Sequence, residues 1–180
     1  MKKTFTQFLL SATLMIAFGN KIFSQNWQYV GLPNINNSIG WNTYLYWGDM
    51  EINSAGDVFV GYYQNSSGAA SVNFAKYDGS SWTQFPAITS FTANAVDIEV
   101  RGADYYLAYA RVKSGNMYAY VQKYNGSGWT QIGDSLLLGN SGSGGYFEFL
   151  LDNAGVPTVL GAVSAPLLAN KQMVQYNGSN

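Results

Sequence analysis

The chain has 180 residues, 47% of them hydrophobic and 16% aromatic but only 11% charged, well below the charged share of an average soluble domain. That length suits one ordinary domain with ample apolar surface for a core. Cys and His are both absent, which excludes disulfides, thiol chemistry and imidazole ligands together with the Ser/His/Asp and Cys/His schemes of nucleophilic catalysis.

Residues 1–24 read as a signal peptide. A basic start, Lys2 and Lys3, precedes an 11-residue apolar run from Phe8 to Phe18, and Ser24 supplies a small residue for cleavage. The run is shorter than the roughly 20 apolar residues a membrane-crossing helix needs, so no membrane span is expected. Without Lys2, Lys3 and Lys21, six basic residues face ten acidic ones, and nucleic acid and anionic membranes become poor partners. No Cys follows the apolar run to carry a lipid, and the chain is expected to be secreted or held at the cell surface.

A short phrase then recurs. "NWQYVG" (Asn26–Gly31) resembles "GWTQIG" (Gly128–Gly133), while "KYDGSSWTQF" from Lys76 and "KYNGSGWTQI" from Lys123 place Tyr77 and Tyr124, and Trp82 and Trp129, each 47 residues apart. Upstream, "DMEINSAGDVFVGYY" from Asp49 matches "DIEVRGADYYLAYA" from Asp97, and "FEFLLDNAGVPTVLGAV" from Phe147 is a looser third copy ending in "QYNGSN". The first unit divides into segments near 45–53, 57–64, 70–78 and 81–86, alternating or rich in Val, Tyr and Phe and separated by Gly, Asn, Asp or Ser. Asp-Gly and Asn-Gly tolerate the positive φ of tight hairpins. The only helix expected lies in the leader, at about 5–20.

Four-stranded units of about 47 residues predict an all-β fold of antiparallel β-propeller blades. A β-sandwich without true repeats and a solenoid are the competing architectures. The expected layout is an outer strand at 26–31, one blade at 45–86, a second at 95–133 and an incomplete third at 146–180. About three blades are fewer than the four to eight of known rings, so the chain is expected to be a fragment of a larger ring or to complete one by self-association, two chains making six blades. In a closed ring Asn26–Gly31 would lie antiparallel beside Met173–Asn177. In an open arc the final unit would expose an apolar face near Phe147, Phe149, Val159 and Leu160.

The phrase "KYNGSGWTQIG" followed by "FEFLLDNAGVPTVL" resembles the repeats of bacterial secreted β-propeller proteins, kelch-like or galactose-oxidase-like in the broad sense. That resemblance implies an extracellular setting, since many such proteins end in a type IX secretion sorting domain. It implies a blade and no particular activity.

"NSGSGG" (Asn140–Gly145) lacks the Lys and helix of a phosphate loop and reads as a connection. The Asn-X-Ser sequons at Asn36, Asn65, Asn125 and Asn177 are discounted, because the leader looks bacterial and Asn-Gly-Ser is explained by turn chemistry. Carboxylates remain. Asp49 with Glu51, and Asp97 with Glu99, stand two apart on a strand, roughly 6.5–7 Å between Cα atoms, near the acid/base spacings of glycoside hydrolysis. Recurrence of the pair favours a structural role, in which the acids accept backbone N–H groups or line a hydrated channel. The rival is a ring of acids from Asp49, Asp97 and Glu148 that holds a cation or sugar hydroxyls. Trp27, Trp82 and Trp129, with Tyr77, Tyr124 and Tyr176, recur once per unit, as packing aromatics do, although a lectin would use them to stack on sugars. Trp41, Tyr44, Tyr46 and Trp47 lie outside the repeat phase and are the candidate ligand-binding aromatics beside Asp49, Glu51, Asp97 and Glu99. No catalytic residue, metal site or cofactor is assigned. The expected function is a non-catalytic binding or scaffold module for an extracellular protein or glycan, and the alternative is a glycan-directed hydrolase using the strand carboxylates.

Overall fold

The computed structural model describes residues 45–66, 69–89, 92–140, 146–162 and 172–178. The leader, Asn26–Gly31, Trp41 and Tyr44 lie outside these residues, and so does the expected pairing of Asn26–Gly31 with Met173–Asn177. The described residues are strand, turn and loop, with no helix among them, and the all-β antiparallel class expected from the sequence is what they form.

Three antiparallel sheets follow one another along the chain. Sheet I holds β1 (Leu45–Ile52), β2 (Val58–Ser66), β3 (Ala69–Tyr77), β4 (Trp82–Gln84) and β5 (Ile88–Thr89). Sheet II holds β6 (Ala93–Arg101), β7 (Asp104–Lys113), β8 (Asn116–Tyr124), β9 (Trp129–Gln131) and β10 (Leu136–Asn140). Sheet III holds β11 (Tyr146–Leu151), β12 (Pro157–Ala162) and β13 (Gln172–Gln175).

The turns explain the register. At the outer hairpins, Asp78 Oδ1 accepts from the N–H groups of Ser80 and Ser81, and Asn125 Oδ1 from those of Ser127 and Gly128. Gly79 (φ 94°) and Gly126 (φ 95°) supply the left-handed backbone these turns require. The hairpins lock Tyr77 opposite Trp82 and Tyr124 opposite Trp129, so the two Trp residues occupy equivalent outer-strand positions. Beyond each Trp the outer strand is broken and resumes as β5 or β10. Pro86, which has no N–H, marks one break, and Gly133 at φ 63° marks the other.

Alternation along the strands sends one face of each sheet to each neighbour. Phe59, Val72 and Phe74 of sheet I bury against Val96, Ile98, Leu107 and Tyr109 of sheet II. Ala108, Ala119 and Val121 of sheet II bury against Phe149 and Val159 of sheet III. The expectation that Phe147, Phe149 and Val159 face outward is therefore corrected. Phe149 and Val159 are buried against sheet II and Phe147 packs there too, because Glu148, not Phe149, takes the position equivalent to Asp97. Exposed apolar side chains on sheet III are instead Leu150 and Met173, and on sheet I Met50 and Ile52.

Candidate functional site

The innermost strands carry the chemistry. Asp49 of β1 sits opposite Gly61 and Asp97 of β6 opposite Ala108, so each acid projects from the face that meets the next sheet. Asp49 Oδ2 accepts from the Ile98 N–H at 3.2 Å and Glu51 Oε2 from the Val100 N–H at 2.6 Å. One repeat later Asp97 Oδ2 accepts from the Phe149 N–H at 2.6 Å, and Glu99 accepts from that of Leu151. Each D-x-E pair thus clips two amides on the free edge of the next inner strand, groups that β-pairing leaves open. The small residue opposite each Asp leaves room for the neighbour: a Cβ on Gly61 would collide with the Ile98 side chain.

Burial raises the carboxyls of Glu51 and Glu99 above their ordinary values, against the lowering effect of the amides they bind. Asp97 is pushed up to about 8, first by burial and then by its hydrogen bond to the Asp49 carboxyl. Asp97 therefore holds a proton at neutral pH and can donate it in its hydrogen bond to the Asp49 carboxyl. Glu148 stands at the Asp97 position of sheet III, while Leu150 replaces the second acid. Among the described residues no group of three or more acids is placed to hold a metal ion. Of the candidate aromatics, Tyr46 and Trp47 lie on β1 just before the acids, and Trp41 and Tyr44 fall outside the described residues.

The outer edge differs between the two seams. Trp129 plugs the seam between sheets I and II: it packs edge-on to Phe74 at 5.3 Å and Tyr124 at 5.4 Å, and its Nε1–H donates to the Pro86 carbonyl at 2.7 Å. At the corresponding place between sheets II and III is a cavity of about 220 Å³, lined by Val121, Ile132, Gly133, Pro157, Val174 and Tyr176 among others. Sequence reasoning missed this cavity. Its lining comes from two sheets, Val121 and Ile132 from one and Pro157 and Tyr176 from the other, and no single stretch of sequence marks it.

No family model matches the chain, and no curated protein matches it. Among solved structures it is similar to an endo-arabinase from Bacteroides thetaiotaomicron, at 12% identity and a TM-score of 0.45, over 76% of this chain and 56% of that one. The chain thus spans little more than half the length of that structure.

Proposed function

We propose that the chain is a secreted β-propeller module that binds an extracellular protein or glycan without transforming it. The repeated antiparallel sheets, joined inner strand to inner strand, support a reading of them as propeller blades. The observation that carries the reading is the use of the acids: Asp49, Glu51, Asp97 and Glu99 each accept a backbone N–H of the next sheet. Carboxylates that a hydrolase would need for proton transfer are here engaged in holding sheets together. The binding surface would be formed at one end of the ring, including Trp41 and Tyr44 ahead of β1 and Tyr46 and Trp47 at its start.

One observation favours the alternative, a glycan-directed hydrolase. Asp97 and Asp49 are in contact and one of them holds a proton, the asymmetry that acid/base pairs require. A glycan panel tests both readings, with each bound glycan analysed for released fragments. Saturable binding without fragments is expected. Fragment release that disappears in Glu51→Gln and Asp97→Asn would replace the binding reading with the hydrolase.

A further inference from the structure

The two outer hairpins hold an amide and a carboxylate in the same setting. Asn125 Oδ1 accepts from the N–H groups of Ser127 at 3.0 Å and Gly128 at 2.9 Å, and from the Ser127 hydroxyl at 3.0 Å. Asp78 Oδ1 accepts from the N–H groups of Ser80 and Ser81, both at 2.9 Å, and from the Ser80 hydroxyl at 2.7 Å. The chemistry open to the two side chains differs. An amide can be attacked at its carbonyl carbon by the next backbone nitrogen and expel ammonia, whereas a carboxylate has a negative charge where the leaving group would be. Bonds from the Ser81 and Ser80 groups keep Asp78 ionised, its carboxyl held down at about 2.

The nucleophile beside Asn125 is the nitrogen of Gly126. Its N–H makes no hydrogen bond among the described residues. A Cβ on Gly126 would have nothing within 4 Å, and Asn125, Gly126 and Ser127 are all exposed, so base and water reach the nitrogen unhindered. When that nitrogen adds to Cγ, negative charge grows on Oδ1, where three donors already stand at hydrogen-bond distance and bind more strongly as the charge develops. Nδ2 donates to Thr130 Oγ1 at 3.0 Å, which fixes where the departing nitrogen lies.

We propose that Asn125 is a self-modification site, which its hairpin converts through a cyclic imide with Gly126 into aspartate and isoaspartate. Gly126 gives up its N–H proton and its nitrogen bonds to Cγ; the Cγ–Nδ2 bond breaks, and ammonia leaves with a proton in exchange. Water then opens the ring. Opening between Cγ and the Gly126 nitrogen gives aspartate on an unchanged main chain, and opening at the backbone carbonyl gives isoaspartate, with the chain rerouted through Cγ. One water is consumed and one ammonia released, with no change of oxidation state.

The first repeat shows what the aspartate product looks like. Asp78 makes the same three bonds, and Tyr77 faces Trp82 as Tyr124 faces Trp129. Aspartate at position 125 therefore leaves the hairpin as it is and, once ionised, ends the reaction. Isoaspartate adds a carbon to the main chain between Tyr124 and Gly126 and removes the acceptor from the turn. That breaks the register of Tyr124 with Trp129, the ring that packs on Phe74 and donates to the Pro86 carbonyl. Slow chemistry at an exposed turn thus reaches the seam between sheets I and II.

The full chain, kept folded at mildly alkaline pH, is digested at intervals after lysine, and the peptide holding Asn125 is analysed by chromatography and fragment mass. Asn177, which also precedes a Gly, falls on a different peptide because Lys171 lies between them. A gain of about 1 Da at Asn125, resolved into two isomers, is expected. Ser127→Ala removes one of the three donors and should slow conversion of the folded chain about tenfold, less than the loss of such a donor costs in a water-excluded site, while parent and variant unfolded in urea convert at one rate. Asn125 left intact in the folded chain after the unfolded chain has converted would overturn the site, and equal folded rates for parent and Ser127→Ala would overturn the part played by the turn donors. Asn125→Asp makes the first product directly and should melt with the parent at pH 7, with the isolated isoaspartate form melting lower. Coincident midpoints for those two forms would overturn the link to the Trp129 seam.

Discussion

The seam between sheets I and II and the seam between sheets II and III are built from the same parts, yet they are finished differently. Both have inner-strand acids clipping the next sheet's amides, a small residue opposite each Asp, and an apolar filling between the strands. Toward the outer edge the first seam is a run of rings, Phe74, Phe85, Tyr105, Tyr124 and Trp129, with centroids between 4.9 and 6.5 Å apart. The second has Val121, Ile132, Pro157 and Tyr176 around a cavity. Cavity and plug occupy equivalent places, so the repeat specifies the socket through residues shared by two sheets, while the plug comes from one outer strand. The second seam has its own addition: Arg101 donates to the carbonyls of Asp152, at 2.6 Å, and Asn153.

The most severe way to break the difference is to remove the plug. Trp129→Ala empties the first socket and leaves the Pro86 carbonyl without its donor, and it should cost about 4 kcal/mol. The measurement is the urea midpoint at constant m-value. A loss below about 1 kcal/mol would mean that the plugged and unplugged seams are equally stable and that the comparison has no energetic content. Next in size is Gly61→Ala. The new Cβ meets the branched Cγ2 of Ile98, which cannot turn aside, and a loss of about 2–3 kcal/mol is expected. Gly161→Ala meets the flexible end of Leu138 and should cost less, measured in the same titration.

The repeated phrase made the sheets legible. Asp-Gly and Asn-Gly turns, alternating strands and Trp in phase led to four segments per unit, and β1–β4 overlap those segments. The break in each outer strand was written in Pro86 and Gly133 but was hidden by treating the phrase as one strand. The direction of the sheet III face could not be read from hydrophobicity, since Phe147, Phe149, Leu150 and Leu151 give no alternation. Only the alignment of Glu148 with Asp97 fixes it. For the acids, period and recurrence were visible, but their partners, backbone amides 49 to 52 residues away, carry no side-chain signature.

Filling the second seam should sharpen the comparison in the opposite sense. Val121→Phe restores the ring present at Phe74 and occupies part of the cavity, with an expected gain of about 1 kcal/mol in the same urea titration. Destabilisation instead would show that the cavity walls do not tolerate an aromatic ring. The acids give a pH test. Asp97 has its folded pKa raised from 3.8 to about 8, so between those values the folded chain binds a proton that the unfolded chain does not. Stability should therefore fall as pH rises from about 4 to about 8, with Glu51 and Glu99, also raised, acting in the same direction. Asp97→Asn keeps an acceptor for the Phe149 amide and a donor for Asp49. It should flatten the thermal midpoint across that range and exceed the parent at pH 8; an unchanged slope would place the proton elsewhere.

The smallest expected effect lies at the outer hairpins, where Asp78 and Ser81 of the first repeat stand in place of Asn125 and Gly128 of the second. Asp78 and Asn125 do the same work: each Oδ1 accepts two backbone N–H groups and a Ser hydroxyl, Ser80 in one hairpin and Ser127 in the other. The bonds from the Ser81 amide and the Ser80 hydroxyl and amide hold the Asp78 carboxyl down at about 2. A carboxyl depressed in the folded state contributes stability that is present above the unfolded value and lost as pH falls through the folded one. The loss should therefore run from about pH 4 to about pH 2. Asn125, which does not titrate, has no such loss. Asp78→Asn gives the first hairpin the side-chain amide of the second: the thermal midpoint at pH 7 should stay with the parent, while the fall in acid becomes shallower. Asp78→Ala removes the acceptor itself and should lower the midpoint at both pH values. If Asp78→Asn instead steepened the acid fall, the carboxylate would have a task that the amide in the second repeat does not share, and the two hairpins would not be equivalent.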